Sequence, residues 1–244
     1  MSRLMLGLVT TLAALSCVAP SPLGARDTPA TSLEFTQKLN TKVPQFETAG
    51  RTAVACILEL AYRYELPTGI EYVDKAAMTQ RIELQFRNES VRQILTAIVH
   101  ELPEYQLNFS DGLVDIFEAR QRQNPNNLLN TVIGVFDVAD SDAAVANFEL
   151  TTALGHQIHP GGVSVGSIAK GQLGKKKVTL HLRNRKVYEI INAIVAQNGK
   201  AAWTVIVPGA RLTGTDVSDL WHLYPLEAPF SKDDILDGLS TLKL

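Results

Sequence analysis

The chain has 244 residues, 45% hydrophobic and 20% charged, with a formal net charge of −2. That is enough apolar material for one large domain or two modest ones, and the charge balance gives no basis for binding nucleic acid or an anionic membrane surface. The 5 His and 2 Cys are scattered, which excludes a disulfide framework and a cysteine-rich metal site.

In residues 1–25, Arg3 precedes an apolar run from Leu4 to Val18, followed by Pro20, Pro22 and a small-residue site ending at Ala25. This pattern predicts a secretory signal peptide and a mature chain in the periplasm or otherwise outside the cytoplasm. The run is shorter than the ~20 residues of a membrane-spanning helix, so no integral membrane segment is expected after cleavage. Cys17, in "ALSC", weakly resembles the lipidated cysteine of bacterial lipoproteins and is a candidate lipid anchor. Ala14 and Leu15 depart from that motif, which prefers Leu and then a small residue. Cys56 lies in an apolar helical pattern and reads as an inert buried thiol.

Residues 26–38 are polar and are expected to form a flexible lead-in. Beyond them the chain repeats itself. "LNTKVPQFE" (Leu39 to Glu47) matches "LNTVIGVFD" (Leu129 to Asp137), and "RNESVRQILTAIV" (Arg87 to Val99) matches "RNRKVYEIINAIV" (Arg183 to Val195) at seven of thirteen positions. The anchors are 48 residues apart in one copy and 54 in the other, the difference falling in the Gly/Lys-rich stretch Gly166 to Lys177. Between them, Val54, Ile57, Leu58 and Ala61 predict one helix and Ala143, Ala144, Phe148 and Leu154 another, ending near Gly155. Alternating runs at Gly69 to Tyr72, Ile82 to Phe86, Gly162 to Val165 and Val178 to Leu182 predict strands. "YQLNF", "LVDIF" and "AAWTVIV" predict more, leaving one extra strand in the first copy.

In the echoed helices, Val91, Ile94, Leu95, Ile98 and Val99 form one apolar stripe, and Val187, Ile190, Ile191, Ile194 and Val195 form its equal. Asn88 and Asn184 are expected to cap these helices. Arg87 and Arg183 recur, but Glu89 and Ser90 are replaced by Arg185 and Lys186, so a duplicated anion site is not expected; the echo records packing.

The succession "IELQF", "RNESVRQILTAIV", "YQLNFSDGLVDIF" resembles the short N-terminal domain of secretins and TonB-dependent receptors. The match covers Thr52 to Glu118, and Val132 to Val207 chiefly in its later half. The resemblance implies an α+β fold of two related small modules, each with helices packed on one side of a short mixed or antiparallel sheet. The division is 39–120, a linker at 121–128, 129–210, and a C-terminal segment at 211–244. It also implies a non-catalytic role in protein–protein contact within the bacterial envelope, with an envelope protein as partner.

Two other readings fit parts of the sequence. "GVSVG" satisfies G-x-S-x-G at Ser164, and "SIAK" matches S-x-x-K at Ser167, so a secreted serine hydrolase is the first alternative. The former needs a helix directly after the serine, and the latter lacks its S-D-N and K-T-G companions. The second alternative is a small-ligand site in a cleft between the modules, lined by Tyr62, Tyr72, Trp203 or Trp221. His156 and His159 have no third metal ligand, and His159 precedes Pro160, where helix is disfavoured. "GQLGKKK" lacks P-loop spacing, and Lys175, Lys176 and Lys177 suit protection of a strand edge. No catalytic, cofactor-binding or metal-ligating residue is assigned. The tail after Ser231, with Ile235, Leu236, Leu239 and Leu242, is expected to dock on its own protein or a partner.

Overall fold

The computed structural model describes residues 29–72, 80–158, 176–206 and 221–226. In order they form α1 (Pro29–Asn40), β1 (Lys42–Glu47), α2 (Ala53–Arg63), β2 (Thr68–Tyr72), β3 (Gln85–Ser90), α3 (Val91–His100), β4 (Tyr105–Ser110), β5 (Leu113–Glu118) and α4 (Ala119–Gln123). A 3₁₀ turn at Leu128–Asn130 leads to β6 (Val132–Ser141), α5 (Ala143–Ile158), β7 (Val178–Lys186), α6 (Val187–Asn198), β8 (Ala201–Ile206) and β9 (His222–Pro225). The fold is α+β. The signal segment, Cys17 and the C-terminal run from Ser231 lie outside the described residues.

The two echoed stretches build the same local structure. β1 pairs antiparallel with β3, and β6 with β7, as two-stranded ribbons. Each ribbon feeds a helix whose first N–H returns to the preceding anchor: Val91 donates to the Thr41 carbonyl at 3.1 Å and Val187 to the Thr131 carbonyl at 3.0 Å. The five apolar residues of each stripe are buried, as are Leu39 and Leu129 of the anchors. At about 1.5–3 kcal/mol per buried aliphatic side chain, these stripes hold the helices in place. α6 stops at Gly199, whose φ of 76° is the left-handed conformation of a helix C-terminus.

The Asn residues do something other than cap. The caps are Ser90 and Lys186: Ser90 Oγ accepts from the Gln93 N–H at 3.3 Å, and the Ser90 and Lys186 N–H groups donate to the Gln93 and Glu189 side chains at 3.0 and 2.9 Å. Asn88 and Asn184 instead sit two residues earlier, inside β3 and β7, at φ 55° and 52°. Left-handed backbone is costly for most L-residues and least so, after Gly, for Asn and Asp. The repeated Asn therefore marks a repeated backbone twist.

A five-stranded mixed sheet, in the order β4-β5-β2-β8-β9, runs through both halves of the chain. β2 pairs parallel with β5 on one side and with β8 on the other. Val114, Ile116, Ile70 and Ala202 face one core, built with α1, α2 and α3; Leu113, Trp203, Val205 and Leu223 face a second, built with α5 and α6. Helices thus cover both faces of the shared sheet. β9 pairs antiparallel with β8 as β4 does with β5, so β9, which the sequence pattern did not reveal, counterbalances the expected extra strand.

Several expected boundaries move, and the strand expected at Ile82 to Phe86 lies at Gln85–Ser90. Residues 29–38 of the expected lead-in belong to α1, because Phe35 and Leu39, four apart, share a buried helical face. α5 continues past Gly155, itself buried, to Ile158. The expected linker at 121–128 is held closely: the Asn127 amide bonds the Gln121 carbonyl and the Leu129 N–H, each at 3.0 Å.

Candidate functional site

Where the halves of the sheet meet, polar side chains converge under α6. Gly69 lies beside Asp115 on one neighbouring strand and Trp203 on the other. Two residues along β2, on the same face, stands Glu71. Arg122 reaches in from α4. Its Nε donates to Glu71 Oε1 at 2.7 Å, and its two terminal nitrogens donate to Asp115 at 2.8 and 3.2 Å. The guanidinium lies between the rings of Phe117 and Tyr188, 4.1 and 3.8 Å from their centroids. From α6, Asn192 donates to Asp115 at 3.3 Å and accepts from the Trp203 indole N–H at 2.7 Å. Gly69 permits this, since a Cβ there would collide with the Trp203 indole nitrogen and the Asn192 side-chain oxygen.

The charges do not balance. Glu71 is 1% exposed, and its Oε2 has no hydrogen-bond partner among the described residues. Burial pushes the Glu71 carboxyl up to about 7; Arg122 opposes this, while Asp115 and Glu118 reinforce it. Burial works against the Arg122 charge, but Glu71 and Asp115 outweigh it and hold Arg122 above its ordinary range. Burial also raises the Tyr188 hydroxyl. Among the described residues no group of three His, Cys, Asp or Glu side chains is placed to hold a metal ion. The arrangement joins elements of both halves and can hold or release a proton.

A second feature lies at the rim. β4 is an end strand of the large sheet, and its sequence, Tyr105 to Ser110, carries no charge and no proline. The β4–β5 turn, Asp111-Gly112, has positive φ at both residues, as a type I′ hairpin requires. Ser110 and Leu113 therefore exchange hydrogen bonds, and the alternation turns the N–H and C=O groups of Leu107 and Phe109 outward. The bond from Ala119 N–H to the Glu104 carbonyl at 3.3 Å continues the same phase. Every other strand end-on to solvent among the described residues is blunted. β1 has Lys42, Pro44 and Glu47, β3 has Arg87 and Glu89, β6 has Asp137 and Asp140, and β7 has His181, Arg183 and Arg185; β9 is short and ends in Pro225.

Among the described residues, those singled out from sequence do not come together in one site. Ser164, Ser167, His159 and Lys175 lie outside the described residues; His156 is exposed near the end of α5. Lys177 bonds Asp142 at 2.9 Å, and Arg87 and Arg183 are exposed opposite Gln45 and Val135. Of the residues expected to line a cleft, Trp203 and Trp221 are buried instead, because each is apolar enough for a core and finds a partner for its N–H: Trp221 donates to Asn147 at 2.6 Å. Tyr62 borders a shallow open depression with Arg63, Glu65, Lys200 and Leu226; the Tyr72 side chain is outside the described residues. Cys56 is buried, which pushes its thiol up to about 11. No described helix is long and apolar enough to cross a membrane.

Comparison of the chain with protein-family models, curated proteins and solved structures finds no match.

Proposed function

We propose that the protein is a non-catalytic docking protein of the bacterial envelope, acting outside the cytoplasm by taking an extended segment of a partner protein along β4. The observation that carries this reading is that β4 has no charged residue and no proline of its own, whereas the other described strand edges are charged or interrupted. Added strands gain affinity from main-chain hydrogen bonds and specificity from alternate side chains. The incoming segment places apolar residues beside Leu107 and Phe109, and polar ones beside Gln106 and Asn108.

The reading is tested with a photo-crosslinking amino acid at Asn108, compared with the same group at Arg183 on β7. An adduct with an envelope protein formed from Asn108 and not from Arg183, mapping to an extended partner segment, is the expected result. Equal labelling from both positions, or none from Asn108, overturns it.

A further inference from the structure

The buried junction goes beyond the docking reading and does not depend on it. Glu71 on β2 is faced from β5 by Asp115 and Glu118, from α4 by Arg122, and from α6 by Tyr188, with Glu189 next to it, and the neutral Asn192. The neighbouring β8 positions, Trp203 and Val205, carry no ionisable group. With Glu71 ionised, two carboxylates share one guanidinium in a site almost closed to water, and Glu118 adds to the negative potential. With Glu71 neutral, Arg122 keeps its two bonds to Asp115, and the excess negative charge falls by one.

We propose that Glu71 makes the junction a proton-controlled latch: protonated, it holds α6 on the shared sheet over β2 and β8, and ionised, it loosens that seam. Geometry supplies the reason. Oε2 is buried with no donor among the described residues, and an anionic oxygen without a donor is among the costliest groups to bury. Breaking the seam admits water to that oxygen. The partners come from the sheet, from α4 and from α6, so the cost of the charge falls on the contact between α6 and the sheet.

The upward displacement of the carboxyl, to about 7 from an ordinary 4.5, puts the change in the neutral range. The folded chain binds this proton more tightly than the unfolded one. The contribution of Glu71 to stability is therefore greatest below pH 4.5, declines as pH rises towards 7, and is level above that.

The chain's two tryptophans supply a reporter and a control. The Trp203 indole N–H is tied to Asp115 through Asn192, whereas that of Trp221 binds Asn147 in the second core. In the ¹⁵N-labelled protein, the Trp203 indole resonance is expected to move with a midpoint near pH 7 while Trp221 stays still. Glu71→Gln, an uncharged isostere, abolishes the movement. Amide protection of β2 and β8, corrected for intrinsic exchange, falls roughly 30-fold from pH 5.5 to 8 in the parent protein and stays level in the variant. A Trp203 resonance that is flat across this range, or one that still titrates in Glu71→Gln, overturns the proposal. Should the variant not fold, the contrast between Trp203 and Trp221 in the parent protein decides alone.

Discussion

Arg122 Nε donates to Glu71 Oε1 at 2.7 Å, joining a short helix late in the first half of the chain to the middle strand of the large sheet. The same guanidinium holds Asp115 with both terminal nitrogens and is only 12% exposed. Arg122→Ala leaves two buried carboxylates without their cation, a change that typically costs about 3–5 kcal/mol. Arg122→Lys is expected to recover little, because an ammonium cannot serve two carboxylates with a planar fork or stack between Phe117 and Tyr188. Urea unfolding at pH 7 measures both losses, and a Lys variant as stable as the parent would refute the geometric argument.

Gly69 is the steric opening through which Trp203 and Asn192 meet. Its backbone needs no left-handed conformation, so the cost of Gly69→Ala comes from space alone. The indole is fully buried and has no free end to swing aside. Overpacking of this kind is expected to cost about 1–3 kcal/mol, with near-ultraviolet circular dichroism of the tryptophans changing in parallel. An alanine variant with unchanged stability and spectrum would show that the indole packs elsewhere.

Helix faces and most strands were legible because periods of 3.6 and 2 are local properties. The stripe beginning at Val91 and that beginning at Val187 needed only their own letters. The shared sheet was not legible: β2 and β8 are far apart in sequence, and nothing local specifies parallel pairing between them. Glu71 and Asp115 did leave a trace, as charges inside otherwise apolar strand-like runs. Period two places such residues on a solvent face, and only the second helical layer turns that face into a core. Their partner, Arg122, lay in a stretch whose polar letters suggest a linker.

The recurring Asn is a case in which the letters were plain and their cause was not. If Asn88 and Asn184 serve a left-handed backbone, Asn184→Gly is tolerated, and Asn184→Ala costs about 1 kcal/mol. A cap would show a different pattern, since Gly and Asn are close at that position but the loss would appear as fraying of α6. In this structure the fraying signature belongs to Ser90→Ala in α3, at about 1 kcal/mol. Hydrogen exchange of the first turns of α3 and α6 separates the two effects.

The protonation of Glu71 also has a thermodynamic consequence for the whole chain. With the folded carboxyl raised to about 7, ionisation costs the native state stability at higher pH. Glu71→Gln is therefore expected to be more stable than the parent at pH 8, by about 2 kcal/mol, and to lose that advantage at pH 5. Denaturant titrations at the two pH values check the sign. A variant less stable than the parent at pH 8 would mean that the bond from Arg122 outweighs the burial of the charge.

The rim of β4 yields the last prediction. Leu107 turns its N–H away from β5, so a proline there removes no bond of the β4–β5 ladder while its ring occupies the space an added strand would need. Leu107→Pro is expected to keep the parent's circular dichroism, to unfold at a somewhat lower temperature because a half-buried Leu is lost, and to reduce crosslinking from Asn108 at least tenfold. Lys introduced at Asn108, on the exposed face, is expected to weaken it less, since a charge on one face leaves the hydrogen-bonding groups in place. Crosslinking that survives Leu107→Pro but is lost with Asn108→Lys would move the contact from the strand edge to the sheet face.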